Sequence, residues 1–186
     1  LSQALADESS SLWPEAHFLA PLHPVVEWAS DRALASLGRN QVFAVRSDAA
    51  ELTVLGGAVL ASTCDVTDRD DVIRFLTEVR DELGPIDVLV NNAGVIQVGP
   101  IETMTCEDYE RALRTHLWGP LYAMHAVLPD MRARREGRIV NIVSIGGKLP
   151  LPHLAPYSAS KFALYGLSTA TRAELMKDGV YVTTVC

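Results

Sequence analysis

The chain has 186 residues, of which 48% are hydrophobic, and its formal net charge is -7 with an isoelectric point near 5.2. This length and apolar share predict one globular domain with a substantial core. Because basic residues cluster only at Arg132, Arg134, Arg135 and Arg138, the acidic chain is not expected to bind nucleic acid, and these arginines are expected to decorate a solvated helix end.

Several other classes of protein are also disfavoured. No apolar run approaches the roughly 18 residues of a membrane span, and the first residues lack the basic and apolar regions of a signal peptide. The three cysteines are irregularly spaced, which suits a reducing compartment, and the histidines show no metal-ligand spacing. We therefore expect a cytoplasmic protein without a membrane span or a structural metal.

From about residue 42 the sequence alternates short β-rich runs with longer helical patterns. One helix begins after Thr67 or Asp68, because apolar residues recur at helical spacing up to Leu83 and Gly84 follows. Another begins at Thr105, where Asp108 completes a capping box, and reaches about residue 134. The remaining predicted helices are 48–55 and 156–177, and the predicted strands are 42–46, 59–64, 86–90, 139–143 and 180–185.

Strand–helix alternation with apolar strands predicts an α/β fold, a doubly wound parallel sheet covered on both faces. Residues 1–24 contain three prolines and no sustained period, so they are expected to form an irregular extension before a domain spanning 25–186. The sequence stops at the last predicted strand, so we expect a sheet incomplete at both ends and a chain that is unstable or associated when made alone.

The richest pattern for chemistry is Tyr157-Ser158-Ala159-Ser160-Lys161, with Ser144 thirteen residues before the tyrosine. Residues four apart lie on one face of a helix, so Tyr157 and Lys161 are expected to be neighbours. A nearby cation favours phenolate, and we expect Lys161 to lower the pKa of Tyr157 from about 10. Together with Ser144 as a hydrogen-bond partner for a substrate oxygen, the set suits carbonyl–alcohol interconversion.

With Asn91-Asn92-Ala93-Gly94 preceding Ser144, Tyr157 and Lys161 in this order, the chain resembles the short-chain dehydrogenase/reductase family, strongly from about residue 59 onward. The resemblance implies a Rossmann-like dinucleotide-binding domain, truncated here, and NAD(P)-dependent oxidation of a secondary alcohol or reduction of a ketone. It implies that Tyr157 is the general acid/base and that Lys161 also holds the nicotinamide ribose. The remaining cofactor contacts that it implies are Asp65, Val66, Asn91, Ala93 and Gly94.

Three departures from the family pattern bear on this reading. The glycine-rich loop is replaced by a segment over 25–35 in which Trp28 stands where glycine normally admits a pyrophosphate. His116 stands where the family usually has an asparagine that holds a water of the proton relay, and histidine could preserve that relay. The family's segment after the last strand is not in this sequence.

The sequence also favours one nicotinamide cofactor over the other and one class of substrate. Arg46, at the end of a predicted strand, could pair with a 2'-phosphate, so NADP(H) is expected over NAD(H), although Asp48 could interfere. Leu149, Leu151 and Leu154 follow the catalytic strand and predict an apolar carbonyl or alcohol substrate, although they could equally serve only to pack the loop.

Two readings of the chain remain open beside each other. One is the oxidoreductase, and the other is a catalytically silent relative or fragment that has lost cofactor binding and acts through association. A mononucleotide or FMN binder ranks below both. A stripe of small residues on the helix after Tyr157 predicts packing against another helix, and the resemblance implies a homodimer or homotetramer.

Overall fold

The structure is a computed structural model that describes residues 42–43, 60 and 62–186. Its helices are α1 (Arg69–Leu83), α2 (Cys106–Leu113), α3 (Gly119–Arg134) and α4 (Ala155–Leu175). Its strands are β1 (Val42–Phe43), β2 (Thr63–Cys64), β3 (Val88–Asn91), β4 (Gly137–Ile142) and β5 (Val180–Val185). The predicted extension over 1–24, the segment around Trp28, Arg46 and the short helix predicted over 48–55 lie outside the described residues.

Local sequence signals define the ends of α1 and α2. The Asp68 side chain accepts hydrogen bonds from the backbone N–H groups of Asp70 and Asp71, and Gly84 ends α1 with φ 91°. At α2, the Thr105 and Asp108 side chains each accept from the other residue's backbone N–H, which is the expected capping box. Both helix starts are therefore confirmed.

The predicted single helix from Thr105 to about residue 134 is continuous but not uniformly α-helical. A π-helical turn over Arg114–Trp118 separates α2 from α3. Such a turn inserts one extra residue into a helix and occurs often at functional sites. It was not evident from the apolar spacing, and it contains His116.

Strands β3, β4 and β5 form a parallel sheet in that order. Leu89, Ile139 and Val182 lie side by side on one face and are buried, together with side chains from α1, α3 and α4. On the other face, Val88 and Tyr181 flank Arg138 and are exposed. The described helices thus pack on the face that carries Leu89, Ile139 and Val182, and the elements predicted before residue 60 lie outside the described part.

The short strands β1 and β2 pair antiparallel, with Val42 opposite Cys64. This pair differs from the parallel arrangement predicted from strand–helix alternation. An antiparallel pair needs no crossover connection between its strands, whereas a parallel pair does. The prediction of a parallel sheet therefore holds for β3–β5 and is wrong for these two residues of each strand.

The sequence predicts that the arginine cluster at the end of α3 is solvated, but in the structure Arg134 is bound to other parts of the protein. Arg134 forms ion pairs with Asp87 at 2.7 Å and Asp130 at 3.0 Å, and it donates to the Ile86 carbonyl at 3.0 Å. It therefore fastens α3 to the turn that precedes β3.

Among residues 62–186, no helix is both long and apolar enough to cross a membrane.

Candidate active site

The predicted site residues converge at the carboxyl ends of β3 and β4. Asn91 ends β3, and Ser144 follows β4 by two residues. Helix α4 begins at Ala155 and brings Tyr157 and Lys161 to the same edge. In parallel α/β sheets this edge is where ligands bind, so the topology places these side chains where chemistry is expected.

A buried chain of polar groups ties the two strands to α4. The Asn91 amide donates to Asn141 Oδ1 at 2.8 Å, and Asn141 Nδ2 donates to Ser168 Oγ at 2.8 Å. Ser168 in turn donates to the Leu164 carbonyl at 2.6 Å. Sequence reasoning missed Asn141 and Ser168, although an asparagine inside an apolar strand was a detectable signal. Asn91, a predicted cofactor contact, thus has its side-chain N–H directed into the protein.

Ser144 occupies a strained backbone position. Its φ is 128° and ψ 158°, a region that residues other than glycine rarely adopt, and its Oγ accepts a hydrogen bond from the Gly146 N–H at 3.1 Å. A Cβ on Gly146 would lie 3.0 Å from the Tyr157 ring, and one on Gly147 would lie 2.8 Å from the Lys161 carbonyl. The two glycines therefore allow the turn after Ser144 to pack directly against α4.

The environment of Tyr157 corrects one expectation from the sequence. The pKa of Tyr157 is raised above its ordinary value, because burial of the phenol outweighs a hydrogen bond with Ser144 that favours phenolate. Lys161 was expected to lower this pKa. Instead its ammonium lies over the Tyr157 ring, 5.8 Å from the ring centre. The neutral phenol is therefore the stable form at neutral pH.

Lys161 is itself buried, and only 4% of its surface is exposed. Its Nζ donates to the Ile142 carbonyl at 2.8 Å, which anchors the side chain to the end of β4. Burial lowers the pKa of Lys161 to about 8. The ammonium carries three donors, and within the described residues this carbonyl is its one hydrogen-bond acceptor.

His116 lies in the π-helical turn and is fully buried. Its Nε2 accepts from the Val95 N–H at 3.0 Å, and its Nδ1 is 2.7 Å from Ser160 Oγ. Its ring meets the Tyr157 ring edge-to-face, with centres 5.5 Å apart. Both ring nitrogens are thus engaged by the protein, which differs from the expectation of a nitrogen available to a relay water.

The other predicted cofactor contacts lie in the segments that follow β2 and β3. Asp65 Oδ1 accepts from the Thr67 N–H at 2.9 Å and from its hydroxyl at 2.8 Å, so it closes a local turn just before Asp68, the N-cap of α1. Val66 packs so closely on Gly119 that a Cβ there would lie 2.9 Å from the Val66 carbonyl. Ala93 and Gly94 form the loop after β3. The cofactor roles of these residues stay predictions.

Exposed apolar side chains border this edge of the sheet. Val98 and Ile101 follow the β3 loop, while Leu149 and Leu151 follow Ser144; all four are exposed. The Gly99 N–H donates to the His153 carbonyl at 2.9 Å, which joins the two segments. Two segments that follow different strands therefore present apolar groups together, and Leu154, the third leucine of the second segment, is partly buried.

The chain matches the protein family described as short chain dehydrogenase over residues 29–186. It is 30% identical over 163 residues to 17-beta-hydroxysteroid dehydrogenase 13 of Rattus norvegicus, covering 86% of this chain and 54% of that protein. It is 40% identical over 119 residues to 3-ketodihydrosphingosine reductase of Bacteroides thetaiotaomicron, covering 64% of this chain and 44% of that protein. The chain thus spans about half the length of the curated relatives it matches.

Solved structures agree with this match. A metagenomic short-chain oxidoreductase in complex with NADP superposes with a TM-score of 0.71 at 36% identity, covering 75% of this chain and 62% of that chain. A gluconate 5-dehydrogenase from Burkholderia cenocepacia, in complex with NADP and tartrate, superposes with a TM-score of 0.66 at 31% identity, covering 73% of this chain and 53% of that chain. The doubly wound Rossmann-like fold predicted from the sequence is confirmed.

Proposed function

Because this chain belongs to the short-chain dehydrogenase/reductase family of oxidoreductases, we propose that the protein interconverts a ketone and a secondary alcohol by hydride transfer with a nicotinamide cofactor. The observation that carries the proposal is the convergence of Ser144, Tyr157 and Lys161 at the carboxyl edge of β3 and β4. A carbonyl oxygen at this edge would meet a hydroxyl, a phenol and a buried cation.

The chain's own residues supply the proton and the placement. Ser144 orients the substrate oxygen, and Tyr157 gives its proton to that oxygen as the carbonyl is reduced. The raised pKa of Tyr157 suits this direction, because the phenol stays protonated until the oxygen becomes basic. When bound, the nicotinamide cofactor supplies the hydride chemistry.

The donors of Lys161 fit a hydroxyl-rich group such as the cofactor ribose. A buried ammonium with one protein acceptor for its three N–H groups is under-satisfied in the described structure. Hydroxyl oxygens placed beside it would complete its hydrogen bonds. We therefore assign Lys161 two roles. It binds the cofactor ribose, and through its bond to the Ile142 carbonyl it holds α4 against the end of β4.

We further propose that the cofactor is NADP(H) and that the substrate is apolar. Arg46 supports the first point through its charge and its position in the sequence, with NAD(H) as the other candidate. The exposed Val98, Ile101, Leu149 and Leu151 support the second. Two relatives are named for a hydroxysteroid and for 3-ketodihydrosphingosine, compounds with an oxygen function on a largely apolar body.

The test is NADPH fluorescence titration of the intact protein, followed by NADPH oxidation with ketones graded by polarity. We expect saturable binding, tighter for NADPH than for NADH, with the preference lost in Arg46→Ala. Turnover should favour apolar ketones over small charged keto acids. Silence at high micromolar cofactor would support the catalytically silent alternative.

A further inference from the structure

The buried ring of His116 connects two segments that the proposed reaction needs. On one side lies the loop after β3, where a Cβ on Gly94 would come within 3.3 Å of His116 Nε2. On the other side lies the start of α4, whose first two turns carry Tyr157 and Ser160. The ring therefore fills the space between the predicted cofactor loop and the predicted proton donor.

The hydrogen bonds determine which nitrogen of His116 carries the proton. A backbone N–H can only donate, so the 3.0 Å contact from Val95 requires a lone pair on Nε2. The hydroxyl of Ser160 donates to the Tyr157 carbonyl at 2.8 Å, which uses its single hydrogen. Ser160 Oγ must then accept at its 2.7 Å contact, so the proton of His116 is on Nδ1.

A second proton on this ring is opposed by burial, by the charge of Lys161 and by the donor that faces Nε2. It would be placed on Nε2, directly facing the Val95 N–H. The titratable groups from the described elements that face the ring are Tyr157 and Lys161, and the ammonium of Lys161 repels an imidazolium. Burial acts in the same direction, and the pKa of His116 lies well below its ordinary value.

We propose that His116 is a neutral positioning residue with its one ring proton on Nδ1. It fastens the loop after β3 to the part of α4 that carries Tyr157, and it does not transfer protons during the reaction. In this arrangement Val95, His116, Ser160 and the Tyr157 carbonyl form one directed chain of hydrogen bonds. Its effect on turnover rests on the proposed function, whereas its protonation state does not.

The protonation state is measurable by long-range proton–nitrogen NMR on the intact protein labelled with 15N-histidine. We expect His116 to show a protonated Nδ1 and an unprotonated Nε2, unchanged between pH 5.5 and 8, with exposed His125 as an internal reference. A proton on Nε2, or on both nitrogens at the lower pH, would overturn the assignment.

Two variants of His116 distinguish its contact with Ser160 from its contact with Val95. An asparagine amide can reach the position of Nδ1 and keep the contact with Ser160, whereas a glutamine amide reaches the position of Nε2 and keeps the contact with Val95. We expect His116→Gln to lower kcat about tenfold or more with NADPH affinity within about twofold. His116→Asn should show the reverse, with a weaker NADPH Kd and a smaller loss of kcat.

Serines on α4 provide a matched control. Ser160→Ala should lower kcat as His116→Gln does, whereas Ser158→Ala should not, because the buried Ser158 Oγ makes no hydrogen bond within the described residues. A limb of the kcat pH profile that disappears in His116→Asn would show that the ring carries protons and would refute the proposal. Absence of turnover in the unsubstituted protein would refute the proposed function alone, and the NMR spectra would still decide the protonation state.

Discussion

At the scale of single residues, burial controls the chemistry of the site more than the spacing of charges does. Tyr157 and Lys161 lie four residues apart and are neighbours, as the sequence predicts. Yet burial shifts the pKa of Tyr157 upward and lowers that of Lys161 to about 8. Both shifts favour the neutral form of the side chain, as expected for groups removed from water.

Tyr157→Phe tests the role of the phenol. The ring and its packing remain while the proton donor is lost, so we expect turnover to fall by about 10²-fold or more and the NADPH Kd to change little. Tyr165→Phe is the matched control, because Tyr165 is on the same helix and Lys148 lies 5.3 Å over its ring. A near-normal kcat for Tyr157→Phe would contradict the mechanism.

The lowered pKa of Lys161 predicts a pH-dependent stability. Between about 8 and 10.5 the unfolded chain holds a proton on this lysine that the folded chain releases. The free energy of unfolding should therefore rise with pH across this window relative to Lys161→Met, by at most about 3 kcal/mol. Below about pH 7, where Lys161 is protonated in both the folded and the unfolded chain, the difference between the two proteins should be constant.

Urea unfolding of both proteins at pH 7.5, 8.5 and 9.5 measures this difference. The pKa of Cys64 is raised to about 11 by burial, which acts in the opposite direction as pH rises above 9. Because Cys64 is present in both proteins, its effect cancels in the subtraction. A difference that does not change with pH would show that the folded lysine keeps its charge.

At the scale of helices and strands, the ends of elements follow from local sequence, while their connections depend on close packing. Gly179 ends the 3-10 turn after α4 with φ 77°, and a Cβ there would collide with the carbonyl oxygen of Arg135. This contact brings the end of α3 against the start of β5. The glycine follows the helix predicted over 156–177 by two residues, but its close approach to Arg135 is not evident from the sequence.

Gly179→Ala should therefore destabilise the protein for two reasons, a left-handed backbone and a steric collision, by about 3 kcal/mol or more. Gly84→Ala is the control, because Gly84 also has a positive φ but has open space around it. We expect the control to cost about 1–3 kcal/mol less than Gly179→Ala. Equal midpoints in urea would show that the collision is relieved at little cost.

At the scale of the whole molecule, one surface of α4 carries the small-residue stripe noted in the sequence. Ala159, Phe162, Gly166 and Ala170 are exposed along it. A Cβ on Gly166 would meet open space, so the surface is smooth and accessible to another helix. Such an apolar helical surface is suited to association between subunits.

We predict that this surface joins copies of the chain in a homodimer or homotetramer. Phe162→Glu should shift the intact protein toward smaller species in size-exclusion chromatography with light scattering. Met176→Glu, at an exposed apolar residue outside the stripe, should leave the assembly unchanged. A monodisperse monomer in the unsubstituted protein would refute the prediction.

The amino-acid sequence by itself determined the features that depend on near neighbours. The caps of α1 and α2, the strand–helix alternation from which the parallel sheet β3–β5 was predicted, and the adjacency of Tyr157 and Lys161 all involve short-range spacing or periodicity. The order of the motifs along the chain was also sufficient to identify the family. Arg46 and the segment around Trp28 lie outside the described residues, so their predicted roles stay predictions.

Only the tertiary structure decided the protonation and hydrogen bonding of the site. His116 meets partners 21 and 44 residues away, and Asn91 meets one 50 residues away. The direction of each pKa shift depends on how deeply these groups are buried and on which donors face them. Those quantities arise when distant segments pack together and exclude water, so local spacing cannot specify them.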